Sequence, residues 1–319
     1  MECSICRKNS FFSKIDTYKH IWHFCHECKS MFSKKKIKND SKIKINLVNY
    51  LSKITNQKRI KKLLLFESID GDIFYEYSNK RFATTGNYIP DKNKDNKWKK
   101  YDQDFIKYLQ ENNVDLNSKK ILSISDEPGF IVDDFIKFTS IENIMLTAYE
   151  NVTANEMANK LGCKVKKFDL NKDKLSDIST DKYDLIFFRS TLNFNLDFIS
   201  LFSEIEKISK KDTKIIFNFH SPTISSCLMW MFDDYTLLSL VNLDYINSII
   251  KNSNFDILFS EKIILNPRKH YYNTLFKKLF YYPFYFFYLL KIIIKKFFGK
   301  YPFKIDFNEI SYRLILKKN

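Results

Sequence analysis

The stretch Ile121-Leu122-Ser123-Ile124-Ser125-Asp126-Glu127-Pro128-Gly129 starts as a short apolar run and ends on a glycine that opens an amphipathic segment. Apolar runs of this length bounded by turn residues read as buried strands, here residues 120–125, and helical spacing continues from Gly129 to about Phe138. The unit recurs. Residues 143–149 read as a second strand, with a helix over 153–161 that stops at Gly162, as a helix C-terminus should. Residues 164–168 form a third strand. Residues 183–188 form a fourth, with a helix near 197–210, and 213–219 a fifth. This alternation predicts an α/β fold with a doubly wound parallel sheet, whose ligands bind beyond the carboxyl ends of the strands.

The chain has 319 residues, about two domains' worth, and its 45% apolar and 28% charged residues exclude a disordered or collagen-like chain. Formal net charge is +16, and aromatics reach 17% with 31 Phe and 19 Tyr, against only 5 Gly. The charge is divided unevenly. Residues 1–100 hold 23 Lys/Arg against 10 Asp/Glu, a net of +13. Residues 101–262 hold 18 against 25, a net of −7, and residues 263–319 hold 12 against 2, a net of +10. An acidic centre between basic ends points to an anionic partner for the ends, such as a membrane surface or nucleic acid, or else to solvated lysines. No secretory signal follows Met1-Glu2-Cys3, so the expected location is cytoplasmic, where cysteines stay reduced or bind metal.

Cys3-Ser-Ile-Cys6 and Cys25-His-Glu-Cys28 are two C-x-x-C pairs separated by 18 residues. Each two-residue gap lets both sulfurs reach one ion, and two such knuckles complete a tetrahedral thiolate site of the zinc-ribbon kind. Residues 11–24 between them suit a short hairpin. Four thiolates leave no open position, so Zn2+ at Cys3, Cys6, Cys25 and Cys28 would be structural. His20, His23 and His26 lie nearby and could replace a ligand, whereas Cys163 and Cys227 are isolated and read as packing residues.

Residues 1–35 are thus a zinc-ribbon module, 36–100 a basic, mainly helical connector, and 101–319 the α/β domain. Within the last, residues 254–262 and 310–317 alternate as strands and form a final antiparallel hairpin, with an aromatic helical insertion at 263–308. Residues 275–298 combine dense aromatics with Lys277, Lys278, Lys291, Lys295 and Lys296; the longest charge-free run is short of a bilayer span, and Pro283 breaks a clean helix. The composition suits a segment lying in an anionic membrane interface; a helix packed on the domain and a base-stacking nucleic-acid surface are the alternatives.

In the order of these features the sequence resembles the class I S-adenosylmethionine-dependent methyltransferases, and within them a subgroup with an N-terminal four-cysteine zinc module that often modifies sugars or envelope precursors. The resemblance covers the Cys pairs and roughly residues 100–262. Residues 121–129 stand where that family writes V-L-D-I-G-x-G-x-G, which implies a Rossmann-like methyltransferase sheet with S-adenosylmethionine against Ser123, Ser125, Glu127 and Gly129. Glu150 follows the second strand, where the family's acid meets the cofactor ribose, and Asp169 follows the third, where its acid approaches the adenine amino group. Asp184-Leu-Ile-Phe matches the fourth strand, and Asp197 keeps the family's spacing to the next helix. The departures are specific. Of three loop glycines only Gly129 remains, Ser123 replaces the usual acid, and Asn193-Phe194 replaces a frequent Glu-His pair.

The reaction implied needs an acceptor held in line with the methyl group and, for some acceptors, a base. His220 ends the fifth strand and is the candidate base; Arg189 ends the fourth and is a candidate for binding an anionic substrate. The expected function is methyl transfer to a sugar, lipid-linked or other envelope-related small molecule, at the inner face of the membrane if 275–298 binds lipid. A nucleic-acid-directed methyltransferase and a non-catalytic interaction protein are the alternatives.

Overall fold

The computed structural model describes residues 2–17, 20–35, 41–54, 65, 92–125, 129, 131–149, 151–189, 191–229, 238–265, 275–298 and 309–319. Seven strands form the main sheet: β4 Ile121–Ser123, β5 Ile144–Ala148, β6 Lys164–Lys167, β7 Tyr183–Phe188, β8 Ser209–His220, β10 Phe255–Leu265 and β11 Glu309–Lys318. Their spatial order is β10-β11-β8-β7-β4-β5-β6. From β6 to β8 neighbours run parallel, while β11 lies antiparallel between β8 and β10. The fold is therefore α/β with a mostly parallel sheet and the expected final hairpin. The chain steps from β4 outward to β6, then returns to place β7 on the other side of β4, so the switch point of the sheet lies between β4 and β7.

Side chains alternate across this sheet, which separates two cores. Leu122, Ile186, Phe188, Ile215 and Phe217 face one side with Phe198, Leu201, Phe202 and Ile205 of the helix Phe198–Ile208. Their spacing of three and four residues is that of one apolar helical stripe. Ile121, Leu185, Phe187 and Ile216 face the other side, under Phe105 and Leu109 of the helix Lys92–Glu111 and Met157 of the helix Asn151–Leu161. Phe187 is stacked on Phe135 at 5.4 Å and meets Phe105 edge-on at 5.5 Å. Burying each such ring stabilises the fold by roughly 1.5–3 kcal/mol.

A second, antiparallel sheet runs β1 Phe12–Asp16, β2 His20–Cys25, β3 Met31–Lys35 and β9 Ser239–Leu240. Its fourth strand comes from far along the chain, with Met31 opposite Leu240 and Phe32 opposite Ser239. The cysteines and Phe32 share one apolar core with Phe198, Val241 and Ile246, so the N-terminal module packs directly on the α/β domain.

Two segments differ from their expected course. The helix expected over 129–138 is a single turn, Val132–Phe135. Its exit is drawn back to the start of β4, because Ser118 N donates to the Phe138 carbonyl (3.0 Å) and Thr139 Oγ1 to the Lys119 carbonyl (2.8 Å). The helix Leu275–Phe297 runs through Pro283, which was expected to break it. Proline removes one backbone donor, a loss that a 23-residue ladder sustains. Of the connector, the helix Lys42–Ile54 and the start of Lys92–Glu111 are seen; most of 55–91 lies outside the described residues. Cys163 and Cys227 are buried, as expected of packing residues.

Candidate active site and four-cysteine centre

The turn after β4 is shaped by backbone angles that side chains resist. Ser125, standing where the family has its first glycine, is left-handed at φ +49°, and Gly129 lies at φ +79°. Left-handed backbone costs a non-glycine residue roughly 1–2 kcal/mol. Ser125 is held there by its own amide, which donates to Thr147 Oγ1 on β5 at 2.8 Å. Gly129 has a different task. A Cβ there would lie 2.7 Å from Leu161, 2.9 Å from Leu146 and 2.9 Å from Met157, so the glycine permits close packing of the turn on β5 and the following helix. Ser123 is fully buried between Leu146 and Phe187 in the neighbouring strands. Glu127 and Glu150 lie outside the described residues.

Asp169 follows β6 and is buried. Its Oδ1 accepts from the Asn171 amide at 3.0 Å, and Lys172 Nζ lies 3.2 Å from Oδ2. The Asp169 amide in turn donates to Asp173 Oδ2 at 2.8 Å. That bond, with Lys167 Nζ at 2.9 Å, holds the Asp173 carboxyl below its ordinary range. The loop is thus closed by its own charges, with a carboxylate kept at the carboxyl edge of the sheet.

Arg189 ends β7, as expected, yet it does not present its charge to solvent. Its guanidinium is paired with Asp102 of the helix Lys92–Glu111, both side chains being 5% exposed, and stands 5.0 Å from the Phe105 ring. An ion pair so enclosed neutralises the charge that an anionic substrate would need. The pair instead ties the helix over one face of the sheet to the end of β7, and no signal in the sequence connects two residues 87 positions apart.

His220 ends β8, half-buried, with Nδ1 2.8 Å from Ser311 Oγ on the adjoining β11. Its backbone is held by Asn193, a residue that sequence reasoning registered only as a departure. Asn193 Oδ1 accepts from the His220 amide at 2.8 Å, and Nδ2 donates to the His220 carbonyl at 3.1 Å and the Ser239 carbonyl at 2.7 Å. Asn193 is wholly buried, and it locks the loop after β7, the end of β8 and strand β9 together. Both ends of this buried amide are hydrogen-bonded, as burial of a polar group requires.

The four cysteines converge as the spacing predicts. Cys3 Sγ lies 3.9 Å from Cys28 Sγ and Cys6 Sγ 3.9 Å from Cys25 Sγ, with all four sulfurs within 4.8 Å of one another. Zn–S bonds of about 2.3 Å place tetrahedral sulfurs about 3.8 Å apart, so the donor set fits a zinc ion. The two knuckles are built alike: the Cys3 amide donates to the Lys8 carbonyl and the Cys25 amide to the Ser30 carbonyl, each at 2.9 Å. Arg7 and Lys29, next after each knuckle, are left-handed at φ 61° and 54°. A hydrogen bond from Cys28 pushes the Cys3 thiol down, whereas burial pushes Cys6 up. The histidines are engaged elsewhere: His20 Nδ1 with Ser33 Oγ at 2.6 Å, His26 Nε2 with Ser13 Oγ at 3.0 Å, and His23 stacked on Phe32.

This centre adjoins the sheet's carboxyl edge. Arg7 Nη2 donates to Asp197 Oδ2 at 2.9 Å, while Asp197 Oδ1 caps the helix Phe198–Ile208 by accepting from the Ser200 amide. Ser30 Oγ accepts from the Asn242 amide at 2.9 Å, and the Ser33 amide donates to the Leu238 carbonyl at 2.8 Å.

No protein-family model matches the sequence, and neither does any curated protein. Among solved structures, the chain is similar to an S-adenosylmethionine-dependent methyltransferase from Mesorhizobium loti, at 11% identity and a TM-score of 0.45, over 66% of this chain and 96% of that one. It is also similar to magnesium protoporphyrin IX methyltransferase from Synechocystis PCC 6803 with bound SAH, at 10% identity and a TM-score of 0.43, over 86% of this chain and 100% of that one. A third is a cyclase, at 12% identity and a TM-score of 0.43, over 68% of this chain and 80% of that one. The likeness is a distant one of chain path.

Proposed function

We propose that this chain transfers a methyl group from S-adenosylmethionine to a small acceptor, with a structural zinc ion in the four-cysteine centre bracing the wall beside the site. The observation that carries this reading is the turn after β4, which keeps left-handed backbone at Ser125 and at Gly129, at the switch point of the sheet, although two of the expected glycines are gone. Asp169 adds a buried carboxylate at the end of β6, where the resemblance puts the adenine.

When bound, the cofactor supplies a methyl group on a positively charged sulfur. The chain's own part is positioning. The Ser125 turn and the Asp169 loop frame the cofactor, and Asn193 sets the backbone of His220 at the acceptor side. In the tautomer whose Nδ1–H donates to Ser311 Oγ, Nε2 carries the lone pair that takes a proton from an acceptor. Zinc at Cys3, Cys6, Cys25 and Cys28 fixes the knuckles, which through Ser30, Ser33 and strand β9 hold the loops beyond β7 and β8.

For the acceptor we favour a sugar or lipid-linked molecule over RNA, because the acidic centre of the chain carries the candidate site while the basic excess lies at the ends. Methyl-labelled cofactor incubated with the full chain and separate lipid, sugar-nucleotide and RNA fractions tests this. Label in lipid or sugar-nucleotide material is the expected result; label in RNA, or in none while the cofactor binds, refutes the acceptor assignment.

A further inference from the structure

We propose that the protein docks on an anionic membrane surface, lying on it through two amphipathic helices, Leu275–Phe297 and Lys42–Ile54. Leu289 and Ile292 of the first helix are buried, and Lys291 Nζ lies 3.7 Å from Asp16 Oδ2, so one face is seated on the protein. The opposite face is apolar where a solvated helix would be polar. Phe286, Phe287, Leu290, Ile293 and Ile294 are exposed, and at the end Phe297 and Phe298 are 88% and 69% exposed. Lys291, Lys295 and Lys296 sit half-buried along its flanks. At roughly 200 Å2 per aromatic side chain, the four phenylalanines alone present on the order of 500 Å2. With their aliphatic neighbours they exceed the patch that a monomer commonly leaves in water.

The second helix repeats the arrangement. Val48 is buried, while Ile43, Leu47, Tyr50 and Ile54, spaced by four, three and four residues, are 55–81% exposed. Lys42, Lys44 and Lys53 accompany them.

Charge names the occupant. No acidic residue occurs between Asp40 and Glu67, nor between Glu261 and Asp306. Within each of these two segments every charged residue is basic, which complements anionic headgroups, whereas a second copy of the same face would set lysine against lysine. Among the described residues no helix is long and apolar enough to cross a membrane, so the helices lie in its plane.

The proposal is independent of methyl transfer, and flotation of the full chain with vesicles tests it. Phosphatidylcholine vesicles containing phosphatidylglycerol should carry the protein upward, and pure phosphatidylcholine should carry roughly tenfold less. Phe287→Glu with Ile294→Glu, and separately Leu47→Glu with Ile54→Glu, should each lower retention roughly tenfold, and the four together should abolish it. All these side chains are exposed, so circular dichroism and cofactor binding should stay at wild-type values; where they do not, Lys295→Glu with Lys296→Glu reads the charge contribution on its own. Retention unchanged by either pair, no flotation with anionic vesicles, or a dimer in solution that the Phe287/Ile294 variant dissociates would each overturn the proposal. Cofactor binding measured on the same preparations separates failure here from failure of the enzymatic reading.

Discussion

Asn193 grips both backbone groups of His220, accepting from its amide at 2.8 Å and donating to its carbonyl at 3.1 Å. The same amide holds the Ser239 carbonyl at 2.7 Å, so one side chain joins the end of β8 to the sheet that carries the cysteines. Asn193→Ala takes this partner from the His220 amide and the Ser239 carbonyl, at about 1–3 kcal/mol for each group left unpaired, while the Val241 amide still donates to the His220 carbonyl. Urea unfolding should show a loss of about 2–4 kcal/mol, and amide exchange at residues 238–241 should quicken more than in the central strands. Equal quickening in both regions would contradict the role of Asn193 as a local lock.

The turn after β4 yields opposite expectations for its two left-handed residues. Ser125→Gly relieves strain and should be neutral or stabilise by up to about 1 kcal/mol. Gly129→Ala drives a methyl group against Leu161, Leu146 and Met157 and should destabilise by about 2–4 kcal/mol. Thermal melts of the two variants check the contrast, which disappears if the turn has a different path.

Removing one partner of the buried pair Arg189–Asp102 strands a charge out of water. Arg189→Met alone or Asp102→Leu alone should cost about 3–5 kcal/mol, and the double variant markedly less than their sum. Additive losses in the double-mutant cycle would show that the two side chains act independently.

The loop after β6 should weaken in acid. Because bonds from the Asp169 amide and Lys167 depress the Asp173 carboxyl below its ordinary value of 3.8, its contribution is complete above that pH and is lost as pH falls through the lower, folded value. The stability difference between the wild type and Asp173→Asn should therefore narrow on acidification below about pH 4. A pH-independent difference would remove the charge from the explanation.

Much of this architecture is legible in the sequence for identifiable reasons. Strand β7 carries the apolar run Leu185–Phe188 after Tyr183 and Asp184, and its bounds, Tyr183–Phe188, are those the pattern indicates. The cysteine centre is legible because spacing alone brings the sulfurs of each knuckle together. Elsewhere the determinants are tertiary. The pairing of β3 with β9 joins residues about 200 positions apart through only two residues a side, a length no periodicity reveals. Arg189 is placed correctly at the end of β7, but its partner Asp102 lies on a helix whose approach the sequence does not encode locally. Thr147 did leave a signal: it is the one polar side chain in Ile144–Ala148, and it anchors the Ser125 amide.

The sulfur geometry suits a zinc ion, and the cysteines share a core with the α/β domain. The full chain should carry one zinc ion, and chelation should lower its melting temperature as a whole, since the cysteines pack with Phe198 and Ile246. A chelator that strips the metal while leaving the melt unchanged would mean that the module does not brace the domain.

Titration calorimetry of the full chain with S-adenosylmethionine tests the central claim most directly. One cofactor should bind per chain, S-adenosylhomocysteine should compete for the same site, and Asp169→Ala should weaken binding roughly tenfold, the worth of about 1.4 kcal/mol of lost contact. Absence of heat at millimolar cofactor, confirmed by equilibrium dialysis, would contradict the assignment.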